Sequence, residues 1–276
     1  MRLTISSTSI FFYKKGTGFL RHQEEVQALV LFSKNYREKD KLVKLFTESH
    51  GKKMFFVKNA NRKNNPFQAA IQPYTKAVYI ADIKLEGLSF LNNVKEIYPF
   101  KNIQQDIFIS AYATYLLNLV DTAIEDGVYD PALYGFTLEA LTLLEKNYDP
   151  EIITNIFEVQ ILERFGVKIN WDRCAICGKT EGRFDFSSSY SGLLCESHFH
   201  MDERRSHFEM NAIHFIRLFS RINYKQISTI KLKPETKLSI RKTLDELYDE
   251  YVGIQLKSKK FITTMKSWEN MLKEDK

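Results

Sequence analysis

All three cysteines of this chain fall in one stretch, Cys174-Ala175-Ile176-Cys177 followed after seventeen residues by Cys195-Glu196-Ser197-His198. A Cys-x2-Cys pair offers two thiolates from one tight turn, and a second pair of the same spacing at this distance closes a tetrahedron around Zn²⁺. Four protein ligands leave no open position for water or substrate. The expected cofactor is therefore a structural Zn²⁺ held by Cys174, Cys177, Cys195 and His198. His200 is a second candidate for the fourth ligand, and the x2 spacing that mirrors the first pair favours His198. Residues 174–198 carry few large apolar groups, so the metal is expected to supply their folding energy.

The remainder of 276 residues, 44% apolar, is enough for two domains or more. Residues 1–25 read as a leader without a clear period, disordered or a start-site artefact, whose single apolar patch at residues 10–13 is cut short by Lys14 and Lys15. No later run approaches a membrane-spanning length, and one metal-ligand pattern in place of a disulfide framework fits a reducing compartment; the expected location is cytoplasmic, with no membrane partner. From Val26 the period is that of strands: residues 26–33, 42–47, 53–58, 74–83 and 88–97, with a polar, exposed and mobile loop expected at residues 59–65. Five short strands suit a closed barrel, which removes sheet edges; an OB-fold is preferred, an SH3-like barrel giving nearly the same pattern.

After Pro99 the period becomes helical. Ile103, Ile107, Phe108, Ala111, Tyr115, Leu116 and Leu119 describe one apolar face. Asp130-Pro131 and Asp149-Pro150 are two matching helix starts, the second helix ending at Phe165-Gly166, and the acidic residues of this bundle are expected to lie mostly on the outward faces. Further helices are expected around residues 214–219, from Pro234 to about Tyr251, and over residues 258–272. The expected architecture is α+β and multidomain: a leader over 1–25, a small β-barrel (OB-fold) over 26–100, and an all-α domain over 101–276 with an inserted zinc-finger-like module at 174–198.

The net charge of +6 is distributed unevenly. Residues 26–66 carry ten basic and three acidic side chains, residues 101–165 three and eleven, residues 225–276 twelve and eight. A +7 segment of this length is a polyanion footprint. Its candidate DNA-binding residues are Lys34, Arg37, Lys39, Lys41, Lys44, Lys52, Lys53, Lys58, Arg62 and Lys63, interleaved with Tyr36, Phe55 and Phe56. Cations neutralise phosphates while aromatic faces accept unstacked bases, and of the adjacent Phe55 and Phe56 at most one can be buried in a barrel. Phe55 is taken as the DNA-facing ring. Asp202-Glu203-Arg204-Arg205 reads as a solvated turn.

Catalysis finds no support. The chain has no G-x-x-x-x-G-K-[ST], G-x-S-x-G or H-E-x-x-H, and no H-x-E upstream of a P-C-x-x-C. No catalytic residue is expected, and the alternative to a nucleic-acid binder is a zinc-stabilised scaffold whose barrel binds protein.

Several separated motifs occur in a familiar order: Ala28-Leu29-Val30-Leu31, the run from Glu38 to Thr47 leading to His50-Gly51-Lys52, Gln72-Pro73, the run from Ala111 to Leu117, Arg173 before the first cysteine pair, and Gly192-Leu193-Leu194-Cys195. Together they resemble the RecO family of bacterial recombination and repair mediators over about residues 26–272. The leader and a histidine in place of a fourth cysteine are departures. The resemblance implies a non-enzymatic protein, cytoplasmic and nucleoid-associated, that binds single- and double-stranded DNA. It implies annealing of strands coated by single-strand-binding protein and, with RecR, help in loading RecA. It also implies a dock for the acidic tail of single-strand-binding protein on the helical domain; the basic C-terminal helices suggest its place here, for example Arg241, Lys242, Lys257, Lys259 and Lys260 around Tyr251 and Phe261.

Overall fold

The computed structural model describes residues 23–227 and 230–274. Five strands, β1 (Gln23–Tyr36), β2 (Asp40–Thr47), β3 (Gly51–Val57), β4 (Thr75–Asp82) and β5 (Ser89–Pro99), close into a barrel in the order β1-β2-β3-β5-β4, with β4 returning antiparallel to β1. β1 starts at Gln23, inside the span expected to be leader; residues 1–22 lie outside the described residues. The joint between β3 and β5 is parallel and short, pairing Phe55 with Ser89 and Phe56 with Phe90.

Alternation sorts the strand residues. Val26, Ala28, Val30, Val43, Leu45, Phe55, Val57, Ala77, Tyr79, Ala81 and Leu91 fill the barrel. A short helix, α1 (Phe67–Ala70), plugs one end, where Ala70 O accepts from the buried Tyr79 hydroxyl at 2.5 Å. The preceding residues 59–65, expected to be an exposed and mobile loop, are exposed only over 61–64, with Ala60 buried in the barrel core, and they are tied down. Asn59 N donates to Asp40 Oδ1 at 2.7 Å, Asn61 N to Lys39 O at 3.0 Å, and Asn65 Nδ2 to Asn59 O at 2.8 Å.

The opposite face of the same strands is not all solvent. Leu29, Leu31 and Phe46 belong to the core of the helical region, so barrel and helices share one interior. That region begins with α2 (Lys101–Gln105) and α3 (Ile107–Ala123), broken where Asp106 caps α3 by accepting from Phe108 N and Ile109 N. The continuous apolar face expected here is therefore interrupted. Ile107 and Phe108 sit in the first turn of α3, 63% and 39% exposed.

α4 (Pro131–Glu145) and α5 (Pro150–Ile161) start as their Asp-Pro signals require, with Asp130 accepting from Leu133 N and Asp149 from Glu151 N and Ile152 N. Gly166, left-handed at φ 80°, ends the turn Leu162–Phe165 that extends α5. Phe136 of α4 stacks between Phe157 and Tyr224 at 4.8 Å from each. α6 (Met210–Phe219), α7 (Pro234–Leu247) and α8 (Lys257–Glu274) complete the body, with a π-turn at Tyr248–Val252 leading to left-handed Gly253. One acidic residue of the bundle is turned inward. Glu158 is fully buried, accepting from Tyr115 Oη at 2.5 Å and from both terminal nitrogens of Arg241.

Inserted between α5 and α6 is a three-stranded sheet of β6 (Asn170–Cys174), β7 (Phe184–Ser187) and β8 (Gly192–Cys195) in the order β6-β8-β7. Phe184, Phe186, Leu193 and Leu194 are at most 3% exposed and join Trp171 in the main core. The module thus has an apolar anchor of its own, contrary to the expectation that residues 174–198 hold too few large apolar groups to fix their shape. The turn at residues 202–205 is likewise less solvated than expected: Asp202 accepts from Ser187 Oγ at 2.5 Å, and Arg205 pairs with Asp185 at 3.1 Å beneath the Phe199 ring. No described helix is long and apolar enough to cross a membrane.

Candidate nucleic-acid interface and metal centre

The Cys174-to-Cys177 turn follows β6, Cys195 closes β8, and His198 stands on the next turn, Glu196–Met201. These four side chains bring one donor atom each within 4.8 Å of one another. Two thiolates about 2.3 Å from a common Zn²⁺ at the tetrahedral angle stand about 3.8 Å apart, a thiolate and an imidazole nitrogen about 3.5 Å. Cys177 Sγ lies 3.7 Å from Cys195 Sγ, and His198 Nδ1 lies 3.2 Å from Cys195 Sγ and 3.7 Å from Cys174 Sγ. The cluster has the dimensions of a tetrahedral Cys3His site, and 3.7 Å is far beyond a disulfide bond. His200 is exposed and outside the cluster.

Electrostatics favour a cation here. Burial alone would raise the Cys174 thiol, but the amides of Cys177, Cys195 and Ile176 aimed at its sulfur outweigh burial and pull it down to about 6. Cys195 is pushed up, by burial first and then by the neighbouring thiols. A cation bound between the sulfurs would offset the repulsion of neighbouring thiolates. Structural zinc is compatible with this donor set.

The basic segment divides into two populations. Lys44 and Lys52 point at the helical region, not at solvent. Lys52, 2% exposed, donates to the backbone oxygen of Asp121 and reaches Asp121 Oδ1 at 3.1 Å, while Lys44 pairs with Asp126 at 2.6 Å and Asp121 at 3.5 Å. Beside them Gly127 N donates to Lys52 O at 2.8 Å, and left-handed Gly51 lies so close to Val128 that a Cβ would meet its carbonyl oxygen at 2.0 Å. Lys53 Nζ is occupied by the carbonyls of Lys84 and Leu85. Phe55, taken from the sequence as the DNA-facing ring, is fully buried in the barrel; pleating sends Phe56 outward instead. Lys44, Lys52 and Phe55 therefore serve the fold.

The second population is solvent-facing. Lys34, Arg37 and Lys39 stand at the β1–β2 hairpin, Lys58, Arg62 and Lys63 on the turns after β3, and half-buried Lys41 lies between. The bond from Asn61 N to Lys39 O stitches the two groups into one basic rim at one end of the barrel. None of these seven forms an ion pair among the described residues, so their charge is uncompensated. Across the strands, Lys34, Leu42, Phe56 and Phe90 occupy consecutive register positions and one outer face. Phe56 lies edge-on to Tyr36 at 6.1 Å and to Phe90 at 6.0 Å, and Arg37 caps the Tyr36 ring at 5.3 Å. Tyr36 and Phe90 remain 38% and 40% exposed. Phe90 was not among the expected residues, although its alternation with buried Leu91 marks it as outward.

An aromatic strip beside unpaired cations on a small barrel, joined through a shared core to a helical body with a Cys3His module, defines the class: a barrel-and-helix protein with a surface suited to a polyanion. Sequence comparison then names the family. Residues 21–100 match the family model described as Recombination protein O N terminal, and residues 104–260 that described as Recombination protein O C terminal. The DNA repair protein RecO of Enterococcus faecalis is 63% identical over 249 residues, spanning 90% of this chain and 95% of that protein. The proteins of the same name from Lactococcus lactis subsp. cremoris and Streptococcus agalactiae are 51% and 49% identical, spanning 90% and 91% of this chain and 98% of each relative. The chain belongs to the RecO family.

Proposed function

We propose that this chain is a DNA-binding recombination mediator in DNA repair that anneals complementary single strands coated with single-strand-binding protein and, with RecR, helps load RecA. The observation that carries the reading is the row of uncompensated cations around the strip of Tyr36, Phe56 and Phe90. Annealing brings two polyanions together, so a positive surface must screen phosphates while base edges stay free to pair. Flat rings support a base through its face and leave its edge open.

The barrel is read as an OB-fold on its strand order and on the site lying across its strands beside the β1–β2 and β4–β5 loops. Zinc has a structural role, no catalytic step is assigned, and the protein acts in the cytoplasm on nucleoid DNA. The tail of single-strand-binding protein is assigned to a cavity of about 350 Å³ between α3, α5, α7 and α8, where Leu238 and Ile262 supply apolar surface and Lys237 stands at the wall. Arg241 and Lys259, expected among the docking cations, are bound to Glu158 and Asp245, which leaves Lys242, Lys257 and Lys260 exposed.

The test is fluorescence-detected annealing of complementary oligonucleotides precoated with single-strand-binding protein, without ATP, at two salt concentrations. Acceleration that fades with salt and is lost when Lys34, Arg37, Arg62 and Lys63 become alanine supports the reading. No acceleration by a folded, zinc-loaded protein assigns it instead to a scaffold for other proteins.

A further inference from the structure

The β4–β5 loop presents Leu85 to solvent at 98% exposure, with Leu88 and Phe90 behind it at 40% each. An apolar tip on a floppy loop would mean little. This loop is tied to its neighbours. Lys53 Nζ donates to Lys84 O at 2.9 Å and Leu85 O at 3.4 Å, Lys84 N donates to Ser89 Oγ at 3.1 Å, and Lys84 Nζ pairs with Asp82 at 3.0 Å. Gly87, at φ 77°, supplies the left-handed turn. Lys53 is half-buried and spends its charge on two carbonyls, fixing a leucine that packs against nothing in either core.

Position gives the leucine its meaning. The outer-face row runs from Lys34 across Leu42 and Phe56 to Phe90, three inter-strand steps or about 14 Å, which is room for about four bases at the ordinary rise. One end of that row is the basic rim; the other leads through Phe90 into the loop. Charge changes along it. The loop carries Lys84, already paired to Asp82, and exposed Glu86, so its tip repels phosphate and offers apolar surface to bases.

We infer that Leu85 is a wedge that meets the junction between single- and double-stranded DNA, inserting at the first base pair while the single strand lies along the aromatic strip. Apolar side chains in this role unstack one base step in exchange for contact. The inference rests on the strand-binding reading above, and names the form of DNA that the site prefers: a duplex with a single-stranded tail. It also separates roles along the face, affinity at the basic rim and junction selection at the loop.

The test compares the full-length protein with its Leu85→Ala and Leu85→Met variants on a tailed duplex carrying 2-aminopurine at the first base pair, and on the tail alone. Leu85 is exposed, so its replacement leaves the fold intact. The wild-type protein raises the fluorescence of the junction base and binds the tailed duplex more tightly than the tail. Leu85→Ala abolishes the fluorescence rise and weakens tailed-duplex binding about tenfold, with tail affinity unchanged, while Leu85→Met restores both. Equal binding of tailed duplex and tail by the wild type, or a fluorescence rise that survives Leu85→Ala, overturns the wedge and leaves strand binding standing. Absence of any oligonucleotide binding by the wild type overturns the underlying reading itself. Loss of RecR binding in Leu85→Ala, with junction behaviour unchanged, reassigns the loop to a protein contact.

Discussion

Replacing Lys52 tests the division of the basic segment more sharply than replacing the exposed cations alone. Lys52→Met keeps the aliphatic stem and removes the ammonium that bonds Asp121 through its backbone oxygen and its carboxylate. Removing one member of a fully buried pair costs about 3 to 5 kcal/mol. Here the carboxylates of Asp121 and Asp126 are 30% and 54% exposed and rehydrate, so the loss is that of a buried carbonyl and part of an ion pair, about 2 kcal/mol. For a chain of this length that lowers the melting temperature by about 4 °C. Oligonucleotide binding should keep its full salt dependence, because Lys52 contacts no phosphate. Arg62→Ala with Lys63→Ala should do the reverse, leaving the melting temperature within about 1 °C and reducing the slope of log K against log salt by about 1.4, two contacts at 0.7 each on a single strand. Thermal unfolding followed by circular dichroism and fluorescence anisotropy at several salt concentrations give the two readings. A Lys52→Met protein that melts normally but loses salt slope would refute the argument.

Gly51→Ala should lose more than about 2 kcal/mol in chemical denaturation, since the left-handed backbone is strained by any side chain and the new Cβ would collide with Val128 O; a stability within experimental error of wild type would show that the joint yields. Glu158→Gln leaves half-buried Arg241 with Asp245 and Asn155 but without its main counter-charge, with an expected loss of about 2 kcal/mol in urea unfolding. Chelation of zinc should raise amide exchange over residues 174–182 well before β7 and β8, because Phe184, Phe186, Leu193 and Leu194 hold those strands in the core. Simultaneous exchange throughout the helical body would contradict this. Phe56→Ala should weaken single-strand binding by about 1 to 3 kcal/mol, whereas a fold loss from Phe55→Ala of about 3 to 5 kcal/mol should dominate any binding change; titration and denaturation of the pair distinguish the rings.

The Cys3His cluster was legible because its four residues lie close in sequence and their paired spacing is that of a metal-ligand set. Strands and helix starts were legible for the same local reason: alternation from Val26 and the two Asp-Pro caps need no partner to be recognised. What could not be read was direction. Lys44 and Lys52 look like any surface lysine until α3 and the 124–128 segment bring Asp121 and Asp126 to them from about seventy residues away. The choice between Phe55 and Phe56 turns on one residue of register, which the sequence permits either way. Phe90 gains its place on the strip only through the short parallel joint between β3 and β5. Glu158 belongs to a helix with one other acidic residue, Glu151, and nothing in their spacing marks Glu158 as the one drawn inside by Arg241.

The common interior formed where Leu29, Leu31 and Phe46 enter the helical core has a kinetic consequence. Two binding surfaces on separately tethered domains would wander relative to each other; on this frame their separation is fixed. A protein held by its tail against the helices would offer its attached strand to the barrel at an effective concentration on the order of millimolar for a short flexible tether. Strand transfer would then be an intramolecular step, limited by reach and not by the affinity of either surface. Loosening the joint would slow the hand-over even if both equilibrium constants were untouched.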